Sequence, residues 1–107
     1  MKTTCGAGWP GSTNMPEIST HELAVKRENE TLDLIDRTRR RLTENDERWT
    51  RMEAAADACF NDGQARLAQQ IASEAYDLRI VSQRLRRDLN QMYQELERLR
   101  AWLSQGS

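Results

Sequence analysis

The clearest pattern in the chain is a run of apolar residues spaced alternately three and four apart between residues 68 and 103. This spacing places the side chains along one stripe of an α-helix, and over several heptads it is the pattern of a left-handed coiled coil. One series is Ala68, Ala75, Ser82, Leu89, Leu96 and Leu103, and the other is Ile71, Leu78, Leu85, Met92 and Leu99. The pattern predicts a long helix whose apolar surface contacts other helices.

A second and less regular stripe precedes this one in the chain. Its residues recur every seven positions and are Ile35, Leu42, Trp49 and Ala56. The other half of the stripe is poor, because Thr38 and Asn45 occupy positions where apolar residues are expected. These polar residues either fix the register of the helix at a cost in stability or leave the helix incompletely satisfied until a partner binds. Both interpretations remain open from the sequence.

Local signals mark the ends of the predicted helices. Ser19 and Glu22 have the S-x-x-E spacing of a capping box, in which the serine side chain accepts a hydrogen bond from the third helical residue. Asn61, Asp62 and Gly63 form the turn signal between the two stripes. Here we expect Asp62 to cap the following helix, and Gly63 to tolerate a positive φ.

These signals predict an all-α fold, with an antiparallel two-helix hairpin packed as a coiled coil. Two nearly equal helices joined by a short turn fold back on each other, so that residue i lies opposite residue 124 − i to within a turn of helix. The predicted organisation is a disordered tail over 1–17, a hairpin over 18–104 and a short tail over 105–107. Within the hairpin the helices span 19–60 and 64–104, with the turn at 61–63. Trp9, in the first tail, is an alternative anchor for a short binding segment.

The hairpin is expected to form a homodimer, because two helices that touch along one line bury little apolar surface. A dimer of hairpins would be a four-helix bundle. Glu74 with Arg79, and Glu95 with Arg100, have the spacing that supports helix pairing between copies.

Composition and charge restrict the classes of function. The chain has 107 residues, of which 31% are charged, and its net charge is −1, so no overall field attracts nucleic acid or an anionic membrane. It contains two cysteines, which is too few for a disulfide scaffold and indicates a reducing compartment. The sequence has no run of 18 apolar residues, so we expect a cytoplasmic protein without a membrane span.

Seven arginines form a band near the middle of the predicted hairpin. They lie in the segments 37–41 and 84–87. The band is either a solvated face neutralised by local pairs, such as Asp36 with Arg40, or an anion-binding belt. Nucleic acid is the least supported ligand for such an anion-binding belt, because no aromatic residues alternate with the arginines.

Two large side chains fall outside the apolar stripe of the second helix. Tyr76 and Ile80 are four residues apart and form one ridge with Gln83, Arg84 and Arg87. Tyrosine, isoleucine and arginine together are typical of protein-binding hot spots, so we predict that this ridge binds a partner protein. The alternative is a wider core stripe, or burial of the ridge against a dimer mate.

The sequence offers little for catalysis. Its single histidine, His21, lies in the first turn of a helix, and one histidine with two distant cysteines cannot form a zinc site. There is no glycine-rich phosphate loop after a strand. We therefore expect a protein that is not an enzyme, with no catalytic residues, cofactor or metal.

The capped, arginine-rich helices over residues 19–104 resemble the small helical antiactivators of bacterial quorum sensing. Proteins of that class bind LuxR-type transcription factors and block them. The resemblance implies a helical dimer that sequesters a transcription factor. The same outline is similar to the helical-hairpin cochaperones of type III secretion and to phage-encoded inhibitor proteins. A structural coiled-coil module is a further alternative. The resemblance carries over no individual binding residue.

Overall fold

The computed structural model describes residues 19–106, and over that range the chain forms two helices. Helix α1 spans Thr20–Asn61 and helix α2 spans Ala65–Gly106. Each has 42 residues, which corresponds to about 60 Å at 1.5 Å per residue. The predicted tail over 1–17, including Trp9, lies outside the described residues. The observed helix bounds differ from the predicted ones by two residues at most.

The helices pack against each other along their length in opposite directions. Glu28 forms an ion pair with Arg100 near the end of the hairpin that is far from the turn, whereas Glu53 forms an ion pair with Arg79 nearer the turn. This arrangement confirms the antiparallel hairpin. Arg79, however, lies about two turns of helix beyond the position predicted opposite Glu53, which is more than the one turn that the prediction allowed. No helix in the described range is long and apolar enough to cross a membrane.

Helix α1 begins at the predicted cap. Ser19 has an extended backbone, with φ −65° and ψ 155°, and its Oγ accepts a hydrogen bond from the backbone N–H of Glu22 at 3.1 Å. Its carbonyl oxygen accepts the first helical bond, from the N–H of Leu23 at 3.0 Å. The cap therefore satisfies donors that the first turn would otherwise leave without partners.

The turn between the helices is a Schellman motif. The N–H of Gly63 donates to the carbonyl of Phe60 at 3.0 Å, and the N–H of Gln64 donates to the carbonyl of Cys59 at 2.9 Å. Gly63 has φ +82°, which explains why glycine suits this position. The expectation for Asp62 was wrong, because this residue is the C-cap of α1.

The second helix starts instead from Gln64. Its carbonyl accepts the first bond of α2, from the N–H of Ala68 at 2.9 Å. A sequence of Asn-Asp-Gly marks the turn correctly but does not say which helix the aspartate terminates, since aspartate suits several turn positions.

The core follows the predicted stripes. Ile35, Leu89 and Leu96 form the buried cluster, and Leu42 and Met92 pack against it. The buried side chains of α2 are Ala68, Ala75, Ser82, Leu85, Leu89 and Leu96. The remaining predicted seam residues are half-buried, and these are Leu42, Trp49, Ile71, Leu78, Met92, Leu99 and Leu103. In the hairpin alone, one series of α2 is thus well covered and the other remains partly open to solvent.

Candidate protein-binding surface

A polar layer crosses the middle of the hairpin. The side-chain amide of Asn45 donates to the Oγ of Ser82 at 2.8 Å and to the backbone carbonyl of Leu78 at 2.7 Å. Ser82 is 1% exposed. The polar residue on the α1 stripe is therefore satisfied inside the hairpin, which favours the interpretation that it fixes the register.

A second polar residue, Asp46, extends this layer to one edge of the seam. Its Oδ1 accepts from Trp49 Nε1 at 2.8 Å, and its Oδ2 accepts from Arg86 at 2.6 Å. Burial alone would raise the pKa of Asp46. Hydrogen bonds from Ser82 and Trp49 and the charge of Arg86 outweigh burial, so the pKa lies below its ordinary value.

Arginines of α2 reach across one long side of the hairpin, which we call the covered side. It is defined by three ion pairs between the helices: Arg79 with Glu53 at 3.5 Å, Arg86 with Asp46 at 2.6 Å, and Arg100 with Glu28 at 2.8 Å. The guanidinium of Arg79 also lies over the ring of Trp49, 5.1 Å from its centroid. Arg79 thus partly covers Trp49. Four apolar residues that share this side by their heptad positions remain exposed, and these are Val25, Leu32, Phe60 and Tyr93.

We call the other long side of the hairpin the open side. Between the helices it carries the ion pair of Arg27 with Glu95, at 2.7 Å, and Thr31 Oγ1 lies 3.2 Å from the same carboxylate. The hydrogen bond from Arg27 keeps the pKa of Glu95 below its usual value despite partial burial. The exposed apolar residues of the open side, identified from their heptad positions, are Leu34, Leu67, Val81 and Trp102.

The charged pairs expected between two copies are used within one hairpin. Arg79, Arg100 and Glu95 each contact a residue of α1 in the same chain. The sequence analysis used the heptad spacing of these residues as support for dimerisation. That support is lost, because the hairpin itself provides their partners.

The predicted partner-binding ridge lies along α2. Tyr76 is 61% exposed, and Gln83, Arg84 and Arg87 are also exposed. Ile80 is half-buried. Among the described residues, Arg84 and Arg87 form no ion pair, so their guanidinium groups remain available to a ligand.

The arginine band is partly neutralised. Arg40 is paired with Asp36 at 2.6 Å, as predicted, and Arg37 lies 3.4 Å from Asp33. Arg86 is held by Asp46. Three of the seven arginines thus have an acidic partner in the hairpin, which supports a solvated face more than a continuous anion-binding belt.

His21 is exposed in the first turn of α1. Residues 19–106 contain no group of three or more histidine, cysteine or acidic side chains that could hold a metal ion.

The cluster of Asp46, Trp49 and Arg86 was not predicted from the sequence. A signal for it was present, because Asp46 and Glu53 are seven residues apart on α1, and Arg79 and Arg86 are seven apart on α2. Acids and arginines repeating at the heptad period on facing helices indicate a zipper of ion pairs within the hairpin. No protein-family model, curated protein or solved structure matches the chain.

Proposed function

We propose that this chain is a non-catalytic regulatory protein that binds and sequesters another protein in the cytoplasm. The observation that carries the proposal is the exposure of Tyr76, of which 61% is accessible on a helix that already packs against its neighbour through a different stripe. A large aromatic side chain so exposed is a typical anchor of protein interfaces.

The charge of the ridge indicates the chemistry of the partner. Arg84 and Arg87 have no acidic partner in the described part of the chain, and each presents a planar group suited to a carboxylate. An acidic helix or loop that also offers an apolar pocket for Tyr76 would fit this surface. The interaction would be strongest where the arginines are desolvated around the aromatic anchor.

The class of partner that we propose is a transcription factor, with the chain acting as an antiactivator. This follows from the resemblance of the capped, arginine-rich helices to quorum-sensing antiactivators, which sequester their targets without catalysis. The proposal extends to a homodimer, because the hairpin buries few large apolar side chains. The large apolar side chains with less than about a tenth of their surface exposed are Ile35, Leu85, Leu89 and Leu96.

The test combines two substitutions in the ridge, Tyr76→Ala and Ile80→Ala. The wild-type chain and the double variant are used as baits in a lysate of the native host, and retained proteins are identified by mass spectrometry. A purified candidate is then titrated against both baits. We expect a specific partner to bind the wild type and to lose at least tenfold in affinity for the double variant.

Tyr93→Ala is the matched control. Tyr93 is also a tyrosine of α2 and is 42% exposed, but it lies about 25 Å from Tyr76 along the helix. The Tyr93→Ala variant should bind the same partner as the wild type. Circular dichroism of all three proteins must show equal helicity. If the double variant unfolds, Tyr76 and Ile80 belong to the core and the ridge is not the binding surface.

A further inference from the structure

The contact between Arg27 and Glu95 identifies two rows of side chains on the open side. Because the seam repeats every seven residues, positions seven apart from either residue remain on the same side along the hairpin. The row on α1 is Arg27, Leu34, Arg41 and Arg48. The row on α2 is Leu67, Glu74, Val81, Asp88, Glu95 and Trp102.

Concavities on the surface support this assignment. Leu34 lines one of them together with Arg27, Met92 and Glu95. Trp102 lines another, together with Arg27, Glu95, Arg98 and Leu99, so one base of α2 lies beside Glu95 although it is outside the row. Leu34 of α1 and Trp102 of α2 therefore lie beside the same ion pair.

The two rows carry opposite charges. The α1 row has three arginines and no acid, whereas the α2 row has three acids and no base. Arg27 and Glu95 pair with each other. The other four charged residues of the two rows form no ion pair within the described hairpin, and these are Arg41, Arg48, Glu74 and Asp88. Apolar side chains interrupt both rows and are between 37% and 44% exposed.

We infer that the open side is the interface with a second copy of this chain, and that the two turns lie at the same end of the bundle. The inference rests on the proposed homodimer and names its surface and its orientation. A two-fold axis along the rod places α1 of each copy against α2 of the other. The arginine row of each copy then faces the acidic row of its partner.

The alternative orientation is disfavoured by charge. A two-fold axis across the rod would place α1 against α1, so that Arg41 and Arg48 would face a row of arginines, while the acidic rows of the two α2 helices would also meet. Like charges at an interface oppose association and select against such an arrangement.

The area of the open side suits a dimer. Helices about 60 Å long with axes about 10 Å apart present a face of roughly 600 Å² per copy. Two such faces bury on the order of 1,200 Å², the lower end of stable protein interfaces. A second copy on this side would also cover the partly open series of α2, including Leu78, Met92 and Leu99.

Spin-label distances test the orientation directly. A chain with Cys5→Ser and Cys59→Ser receives one new thiol, Asn61→Cys, at the exposed end of α1, and is labelled there. With both turns at one end, the two labels of a dimer should lie roughly 20–30 Å apart, the width of a four-helix bundle with its label arms. A separation of about 60 Å, the length of the rod, overturns the proposed orientation.

A charge on each side of the hairpin tests the surface. Val81→Arg places a cation on the open side, and Tyr93→Arg is its matched control, because Tyr93 is seven residues from both Arg86 and Arg100 on the covered side. Their wild-type side chains are 37% and 42% exposed, respectively. By sedimentation we expect Val81→Arg to raise the dimer dissociation constant at least tenfold, and Tyr93→Arg to leave it within about threefold.

Each outcome distinguishes this inference from the proposed function. A dimer that Tyr93→Arg weakens and Val81→Arg does not overturns the choice of the open side, although the homodimer stands. A wild-type chain that is monomeric at micromolar concentration overturns both the dimer and its interface. Neither result tests the partner-binding ridge, which the variants of Tyr76 and Ile80 test separately.

Discussion

The side-chain amide of Asn45 lies 2.8 Å from the Oγ of Ser82, so the two helices are joined by a hydrogen bond inside their seam. The neighbouring residue Asp46 binds Trp49 and Arg86. A one-heptad slip of either helix would separate these groups and leave buried polar atoms without partners. The layer therefore selects one register, as single polar residues do in other coiled coils.

Removing the amide should destabilise the hairpin. Asn45→Ala leaves Ser82 buried without this donor, and we expect a loss of about 1–3 kcal/mol in the free energy of unfolding, measured by urea titration at fixed protein concentration. Asn29→Ala is the control, because Asn29 is exposed on the same helix. It should change the free energy by no more than about 0.5 kcal/mol. Equal losses in both variants would mean that the layer contributes nothing specific.

Replacing both polar partners should have a different effect from removing one. In Asn45→Leu with Ser82→Ala, no buried donor or acceptor remains without a partner, so we expect stability equal to or above that of the wild type. The cost should appear as a loss of specificity, with more than one oligomer in sedimentation. A double variant that is both less stable and uniform in mass would contradict this account.

The turn gives a purely local prediction. A Cβ added at Gly63 would meet nothing within 4 Å, so any cost of substitution comes from its φ of +82°. Gly63→Ala should reduce the free energy of unfolding by about 1–2 kcal/mol. Gly63→Asn is the matched variant and should cost less, since asparagine tolerates the left-handed region better. Equal losses for alanine and asparagine would argue against backbone conformation as the cause.

The main features of the fold were accessible from the sequence because they depend on local chemistry. The heptad spacing of Ile35 and Leu89 placed both in the seam, and Gly63 marked the turn, since few residues other than glycine adopt its conformation. The partners of Arg79 and Arg100 were not accessible. Arginines at the edge of a heptad stripe have neighbours both in their own hairpin and in a second copy, and a small change of register decides between them.

The site was predicted only as a list of residues on one ridge. Helical spacing alone placed Tyr76 away from the seam, and the structure shows the residue exposed. The asymmetry between the covered and open sides could not be read from α2 alone. It arises from the acids Asp46 and Glu53 of α1, whose alignment with the arginines becomes visible once both helices are laid side by side.

Acid should destabilise the hairpin through Asp46. Its pKa is lower in the folded chain than the ordinary value of about 3.9, so the folded state binds fewer protons than the unfolded state in that range. The stability that this carboxylate provides is complete above about pH 5 and is lost as the pH falls through and below 4. Thermal melting at pH 6 and at pH 3 should therefore show a smaller difference for Asp46→Asn than for the wild type.

The control for this pH effect is Asp57→Asn. Asp57 is exposed and forms no ion pair in the described part of the chain. This variant should keep the wild-type difference between the two pH values. Glu95, held by Arg27, adds a contribution of the same sign, so a residual acid effect is expected in Asp46→Asn. An unchanged pH difference in Asp46→Asn would show that the carboxylate is not linked to folding.

The arginine band should bind nucleic acid only weakly. The net charge of the chain is −1, and Arg37, Arg40 and Arg86 are engaged by acids. Each phosphate contact contributes a slope of about −0.9 to the dependence of log K on log salt. Fluorescence anisotropy with an unrelated DNA duplex, between about 50 and 200 mM salt, should therefore give a slope no steeper than about −1. A slope near −4 that becomes shallower in Arg84→Gln with Arg87→Gln would contradict this expectation, because these arginines would then be contacting phosphates.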